Sequence, residues 1–220
     1  MKFFQGKIFT VINDRCFLIY NIEETINENN MIDVIHSFFE KNKLNLELYS
    51  EAGLQHEFAF FLKNALPDYI IRLEYPITRV FRPNPGFIKK EMDIYLISPS
   101  NEKYLIELKL PKENCGTPKE MYRAFQDVKF GEELKSHGFR SCFCILITER
   151  ISFWAAPQAN EEIYYCFNGK EVKFSSINCS HLPKFLHKNG DINLNNSYRA
   201  NWLEFNDAHN HLWKYFILEI

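Results

Sequence analysis

The sequence predicts an α/β protein in which a mixed four-stranded sheet is flanked by helices. Patterns within residues 51–148 follow the order helix, strand, strand, strand, helix, strand, as in layered α/β domains. The last of these strands, 141–148, is fully apolar, which is typical of the interior of a sheet. The composition, with 46% hydrophobic and 25% charged residues, is that of a globular chain.

The length of 220 residues is that of a single domain, and we divide the chain into a core and two extensions. The N-terminal extension, 1–49, is predicted to form two strands within 3–20, joined through Asn13-Asp14. Apolar residues at helical spacing then predict a helix over 31–41.

The core, 50–150, is predicted to contain two helices and four strands. Ser50 is a suitable N-cap for a helix that runs from Glu51 to about Leu66, just before Pro67. Runs of β-branched and aromatic residues predict the strands. The other predicted elements are strands 69–81, 92–97, 104–110 and 141–148, and a second helix that Pro118 opens and Gly138 closes.

The C-terminal extension, 151–220, is predicted to contain a hairpin. Asn168-Gly169 favours a tight turn, and 163–167 and 171–174 flank it as strands. The aromatic end of the chain is expected to close the core as a strand or a helix.

Charge and cysteine content exclude several classes of protein. A formal net charge of −2 argues against coating nucleic acid by bulk electrostatics, although a local phosphate-facing groove is compatible with it. No apolar run is long enough to span a bilayer, and the first residues lack the apolar stretch of a signal peptide. Six cysteines fit no disulfide or zinc spacing. We therefore expect a cytoplasmic protein with reduced thiols and no membrane partner.

Three charged residues stand inside otherwise apolar strands: Asp93, Glu107 and Lys109. A charge in a buried strand costs several kcal/mol unless it is paired or bound to a metal. Strand side chains alternate, so Glu107 and Lys109 share one face. If the two strands pair about the turn at 98–103, Asp93 lies opposite Leu108. Glu107 and Lys109 are then its cross-strand neighbours.

Two carboxylates and one ammonium group in a common patch suit metal-assisted hydrolysis of a phosphodiester. Carboxylate oxygens are the ligands that Mg²⁺ or Mn²⁺ prefers, and a bound ion can activate water. A neighbouring lysine can orient or deprotonate that water. The alternative is a structural Glu107–Lys109 pair with a solvated Asp93 at the end of the sheet. The spacing alone leaves both open.

These residues resemble the motif of the PD-(D/E)xK nuclease superfamily, which has the restriction-endonuclease-like fold. The match is Asp93 followed by Glu107-Leu108-Lys109, within an α-β-β-β-α-β order over about residues 50–150. Met92 stands where the motif has proline. The resemblance implies a nuclease that depends on Mg²⁺ or Mn²⁺, acts on DNA, and uses Asp93 and Glu107 as metal ligands with Lys109 beside the attacking water.

The segment also resembles a group of bacterial proteins, a resemblance that implies no assured activity. The shared residues are Ser50-Glu51-Ala52 and Gln55 at the start of the helix, Arg72-Leu73-Glu74-Tyr75, and Ile106-Glu107-Leu108-Lys109.

Members of the superfamily often add a glutamate from the first helix as a further metal ligand, and two candidates exist. At 100° per residue, Glu51 lies within roughly 20° of the centre of the helix's apolar stripe, whereas Glu57 lies about 100° away. We therefore expect Glu51 to be the catalytic and metal-binding acid; the alternative is a charge that favours the helix N-terminus through the dipole. Weaker candidates for substrate contacts are Gln55, Gln126, Lys129, Lys89 and Lys90. For Gln126, Lys129 and their neighbour Asp127, the alternative is a solvated face of the second helix.

The main hypothesis is a DNA endonuclease that works in defence or repair. The alternative is a catalytically inactive module of the same fold that binds nucleic acid or a protein partner. A third hypothesis is restriction by a homodimer, with residues 1–48 and 150–220 supplying recognition and assembly.

Overall fold

The computed structural model of this chain describes most of its residues. For the first three strands only the backbone is described. The described residues are 2–4, 7–12, 15–19, 30–42, 46, 48–111, 116–155, 162–168, 173–207 and 209–220.

The described residues form an α/β fold of helices and strands joined by short 3₁₀ turns. The helices are α1 (Met31–Asn42), α2 (Glu51–Ala65), α3 (Thr117–Ser136) and α4 (Glu162–Phe167). The strands are β1 (Lys2–Phe4), β2 (Lys7–Ile12), β3 (Arg15–Ile19), β4 (Ile70–Pro76), β5 (Glu91–Ile97), β6 (Lys103–Lys109), β7 (Ser141–Thr148), β8 (Phe174–Ile177), β9 (Ile192–Tyr198), β10 (Leu203–Asn206) and β11 (Leu212–Glu219).

The main sheet is mixed and has six strands in the order β10-β11-β7-β6-β5-β4. Strands β6 and β7 are parallel, and the other neighbours are antiparallel. The prediction of a mixed α/β sheet is confirmed, but the expected number of four strands is too small. The difference arises because β11, from the C-terminal extension, pairs along β7, and β10 pairs with β11. Strand β7 lies inside the sheet between β6 and β11, as its apolar sequence predicts.

Helices cover both faces of this sheet. Apolar residues of α1 and α2 pack with Ile94, Ile106 and Leu108 on one face, whereas α3 packs with Tyr95 and Leu105 on the other. The alternation expected for β6 is therefore observed, because Ile106 and Leu108 share a face that excludes Leu105 and Glu107. Glu107 consequently points toward α3.

The two helices of the core, α2 and α3, begin and end close to where the sequence predicts. The hydroxyl of Ser50 caps α2 by accepting a hydrogen bond from the amide of Gly53 at 2.9 Å. Pro118 lies in the first turn of α3, and Gly138 follows the helix with φ of +90°, a conformation that favours glycine. Within α3, a Cβ on Gly131 would lie 2.5 Å from Ile220, so glycine permits a close approach to the end of the sheet.

The N-terminal prediction needs a correction in the number of strands. The region predicted as two strands contains three, because β1 pairs antiparallel with β2 and β2 with β3. The predicted turn residues, Asn13 and Asp14, lie outside the described residues, between the paired Ile12 and Arg15. The helix predicted over 31–41 is confirmed as α1.

The first strand of the hairpin predicted in the C-terminal extension is wrong, while the turn residue Gly169 and residues 171–172 of the second strand lie outside the described residues. Residues 163–167 belong to helix α4, and β8 pairs with β9 instead. The residues of α4 that are buried, Ile163, Cys166 and Phe167, are spaced three and four apart, which is the period of a helix face. The prediction relied on the high β-propensity of residues 163–167. In such a short segment, however, the packing of one face determines whether a helix or a strand forms. The end of the chain is a strand, β11, as one of the two expected alternatives.

Among the described residues, no helix combines the length and apolarity that crossing a membrane requires. Four cysteines whose side chains are described, Cys142, Cys144, Cys166 and Cys179, carry free thiols and are buried.

Candidate active site

The acidic residues of the two strands lie at the end of the β5–β6 hairpin that is distant from its turn. The ladder between the strands runs only from the Ile97–Lys103 pair to the Ile94–Ile106 pair. Continuing this register brings Asp93 level with Glu107. The predicted register, with Asp93 opposite Leu108, is therefore wrong by one residue. The turn is tighter than assumed, because the amide of Ser98 donates to the carbonyl of Glu102 at 2.9 Å.

Beyond this ladder, carboxylate side chains accept the hydrogen bonds that backbone amides of β6 and the next residue donate. The amide of Leu108 donates to Asp93 Oδ2 at 2.9 Å, and the amide of Leu110 donates to Glu51 Oε2 at 3.0 Å. Amides two residues apart on an extended chain point in the same direction. Asp93 and Glu51 are therefore held side by side, although they come from a strand and from the first turn of α2.

Lys109 connects these acids with a further carboxylate on α3. Its Nζ lies 3.7 Å from both Glu51 Oε1 and Asp93 Oδ2, and 3.3 Å from Asp127 Oδ2. It also donates to the carbonyl of Leu108 at 2.9 Å. The ammonium group thus has a defined position between α2, β5 and α3.

A second ammonium group enters the same cluster from the segment before β5. Lys89 Nζ donates to Glu107 Oε2 and, at 2.7 Å, to Asp127 Oδ1. We call the resulting cluster the acidic site; it consists of Glu51, Asp93, Glu107, Asp127, Lys89 and Lys109.

Glu107 is the most enclosed member of the acidic site. Its side chain has no solvent exposure, and its Oε1 accepts a hydrogen bond from the amide of Asp93 at 3.3 Å. Burial, followed by the nearby charge of Asp93, raises the pKa of Glu107 well above its ordinary value, even though Lys89 opposes the shift. Both of its oxygens are engaged by the protein.

The charges of the site also shift the pKa values of its other members. Burial alone would lower the pKa of Lys89 and of Lys109, but Asp127 and the neighbouring carboxylates raise both above the ordinary value. Both lysines are therefore cationic at neutral pH. Burial raises the pKa of Glu51, against the opposing effect of Lys109.

A cleft of about 280 Å³ opens beside the acidic site. Lys109, Lys89, Glu51 and Asp127 of the acidic site line it. Its other lining residues are Glu120, Arg123 and Gln126, all on α3. Arg123 Nη1 donates to Glu120 Oε1 at 3.0 Å while its side chain stays 47% exposed, so a cation stands at the rim.

Gln55, one turn into α2, supports the site from behind. Its amide nitrogen donates to the carbonyl of Asp93 at 2.6 Å and to Glu74 Oε1 at 2.8 Å. Glu74 has φ of +46°, unusual for a non-glycine residue, and it lacks a ladder partner between Leu73 and Tyr75. Such backbone irregularities cluster where a strand presents functional groups. Gln55 thus positions Asp93 and is buried, which differs from its expected contact with substrate.

The structure brings Glu51, Asp93, Glu107 and Lys109 together, as the sequence predicts for them. Gln126 and Lys89, two of the weaker candidates, also line the cleft. Glu57, the alternative to Glu51, is exposed elsewhere on α2.

Two weaker candidates do not reach the acidic site. Lys129 lies 3.8 Å from Glu132 Oε2, because two residues along a helix turn it by about 200° from Asp127. Lys90 is exposed, although its neighbour Lys89 enters the acidic site. Neither residue is therefore placed to contact a substrate at Lys109.

Asp127 is the functional candidate that sequence reasoning passed over. Its position beside Gln126 and Lys129 suggested a solvated face of α3. The residue is 2% exposed, because α3 is buried along more than one face of the helix. A signal was present in the spacing, since Asp127 follows Ala124 by three residues and precedes Val128, both at the buried stripe.

The acidic site suits a hard divalent cation by charge and by donor chemistry. Its four carboxylates and two ammonium groups leave two negative formal charges. Asp127 Oδ2 is buried and accepts no hydrogen bond. Among the described residues, however, no three acids, histidines or cysteines are arranged as a metal cage. Mg²⁺ does not require one, because it commonly binds one or two carboxylates together with water and phosphate.

Comparisons with known proteins returned no match. No protein-family model matches the chain, and neither a curated protein nor a solved structure is matched by it. Any function assigned to this chain therefore has to come from its own residues and their geometry.

Proposed function

We propose that this chain is a metal-dependent hydrolase of phosphodiester bonds that acts on nucleic acid, with DNA as the favoured substrate. The observation that carries the proposal is the convergence of four carboxylates on two ammonium groups at the end of the sheet, beside a cleft. Buried ionisable groups are costly, so an arrangement of this kind needs a compensating role. We further propose that residues 50–150 form a restriction-endonuclease-like core, which their order α2-β4-β5-β6-α3-β7 supports.

Asp93 and Glu51 are the residues that would hold Mg²⁺ or Mn²⁺. Glu51 accepts from a backbone amide with Oε2 and faces Lys109 with Oε1, whereas Asp93 uses Oδ2 for both its backbone amide and Lys109. The ion would supply positive charge that lowers the pKa of a water molecule and stabilises charge on the phosphate.

Lys109 and the α3 residues that line the cleft would contact the substrate. The Lys109 ammonium, fixed by three carboxylates, can orient the attacking water or neutralise a phosphate oxygen in the cleft. Arg123 and Gln126 also line the cleft, where a guanidinium and an amide can donate hydrogen bonds to a phosphate backbone.

The test is a cleavage assay with linear, circular and single-stranded DNA and with RNA, in Mn²⁺ or Mg²⁺ and in EDTA. We expect Lys109→Met and Asp93→Asn each to lower the rate by about 100-fold or more, because each removes a group beside the reacting phosphate. Glu57→Gln is the matched control, since it removes an exposed acid of α2. Undiminished cleavage by Lys109→Met or Asp93→Asn contradicts the assignment. Discrete fragments from long DNA would indicate the restricting homodimer.

A second candidate is an inactive binding module, which two observations favour. Each acid of the site already has a lysine partner or a backbone donor, and no three-ligand metal cage exists among the described residues. This candidate predicts binding of nucleic acid or protein without strand cleavage. It also predicts no shift of the melting temperature with Mn²⁺, whereas a metal-binding site stabilises the fold by mass action.

A further inference from the structure

The position of Lys89 divides the acidic site into two halves. The carboxylates of Glu107 and Asp127, which we call the deep pair, have side chains 0% and 3% exposed. The carboxylates of Glu51 and Asp93, which we call the shallow pair, are 43% and 16% exposed. Lys89 contacts both members of the deep pair, whereas Lys109 faces the shallow pair and Asp127 Oδ2.

Lys89 is held in this position by the residues before it. Phe87 packs edge-on against His137 and Phe130, with ring centroids 4.9 and 6.1 Å apart. The amide of Ile88 donates to Glu133 Oε2 at 2.9 Å. Because these contacts fix the backbone to α3, the Lys89 ammonium is directed into the site and also lies 5.7 Å from the centroid of the Phe130 ring. It is a built part of the cluster rather than a surface lysine.

The distribution of charge between the halves follows from these contacts. In the deep pair, one ammonium group stands between two carboxylates and uses Glu107 Oε2 and Asp127 Oδ1. The remaining Glu107 oxygen accepts from the backbone of β5. A metal ion entering this half would have to displace a lysine that makes two charged hydrogen bonds, each of which is among the stronger kinds in proteins.

We propose that Lys89 is a built-in cation that takes the place of a second divalent ion, so that the acidic site binds a single ion at the shallow pair. In many hydrolases of phosphate esters two metal ions share a cluster of carboxylates. Here one divalent ion would balance the negative net formal charge of the whole site. The side chains of the shallow pair are more exposed than those of the deep pair, and Glu51 of the shallow pair lines the cleft. Glu107 is then a positioning residue that holds Lys89 and the amide of Asp93, and it does not bind the metal.

The inference rests on the proposed function for the presence of a metal ion, but its test needs no cleavage. Mn²⁺ binding to the full chain is measured by titration calorimetry and by the electron paramagnetic resonance signal of free Mn²⁺. We expect one ion per chain for the unmodified protein and a second ion for Lys89→Met, which opens the deep pair. Lys90→Met, a change at the neighbouring exposed residue, should keep one ion.

A second set of variants keeps the inference testable if Lys89→Met fails to fold. Glu107→Gln should retain the single Mn²⁺ ion, because Glu107 is not a ligand, whereas Asp93→Asn should lose it. Two ions in the unmodified protein, no ion at all, unchanged binding in a folded Lys89→Met, or loss of the ion in Glu107→Gln would each overturn the inference. Failure of cleavage with these binding results intact would count against the proposed function alone.

Discussion

Two acids on helix α3, Asp127 and Glu132, are both almost completely buried, yet their surroundings differ in kind. Glu132 accepts hydrogen bonds from the amides of Asn195 and Asn196 and from the hydroxyl of Tyr198, at 2.7 to 3.0 Å. Asp127 faces two ammonium groups and keeps one oxygen without a hydrogen bond.

The comparison teaches how a structural acid differs from one that is available for chemistry. Backbone amides and the Tyr198 hydroxyl satisfy Glu132, which has one ammonium group, that of Lys129, 3.8 Å from its Oε2. The acid in return fixes the middle of β9 against α3. Asp127 is satisfied only in part, and it shares its lysines with three further acids. A buried polar group that lacks full pairing calls for an explanation, and a ligand or substrate is one.

Replacing Asp127 and Glu132 by their amides should separate the chemical role of Asp127 from the structural role of Glu132. The loss of cleavage in Asp127→Asn is the largest effect that we expect. Asp127→Asn should lower cleavage by about 100-fold, because Lys109 loses its nearest carboxylate, while the free energy of unfolding changes by about 1 kcal/mol or less. Glu132→Gln should lower that free energy by about 2 kcal/mol, because its new amide group faces backbone donors. Cleavage assays and urea denaturation measure both. Equal effects of the two variants would erase the distinction.

The pH dependence of the free energy of unfolding should give the next largest effect, and it tests the electrostatics of the acidic site. Because the pKa of Glu107 is raised in the folded state, the folded chain binds more protons than the unfolded chain above pH 4.5, the ordinary value. The free energy of unfolding should therefore fall as the pH rises from 4.5 through the raised pKa of Glu107. Urea denaturation of Glu107→Gln should show a weaker fall, with a remainder from Glu51, whose pKa is raised as well. An unchanged pH profile would mean that Glu107 is not the group responsible.

The smallest effect should come from a partner of Glu132. Tyr198→Phe removes one of its hydrogen-bond donors and leaves the ring in the core. We expect the free energy of unfolding to fall by about 1 kcal/mol, as for loss of one buried hydrogen bond, with no change in cleavage. Thermal denaturation checks the first part and the nuclease assay the second. A loss of activity here would link the Glu132 cluster to the acidic site.

Sequence patterns predicted the elements of the core well because strong local signals coincide there. The cap at Ser50, the proline in the first turn of α3 and the apolar run of β7 each have a local physical cause. The face shared by Glu107 and Lys109 follows from strand alternation alone. The same local rules placed Glu51, and not Glu57, toward the sheet.

The errors arose where distant residues decide the structure. The pairing of β11 with β7 joins segments some seventy residues apart, which no local pattern encodes. Asp127 is buried because α3 packs against both the sheet and the β9 region, so its helical position alone resembled a solvated face. Lys89 could be identified as a cation near Asp93, but only the packing of Phe87 on α3 directs it inward.

The hydrogen bonds that Asp93 and Glu51 accept from the β6 backbone mean that these acids also complete the sheet. Truncation of either to alanine would leave the amide of Leu108 or Leu110 without its acceptor, so lost activity could simply reflect a frayed strand. Asparagine and glutamine keep a carbonyl oxygen for that amide while they delete the charge. Mutagenesis at this end of the molecule therefore separates catalysis from folding only when the replacement is an amide.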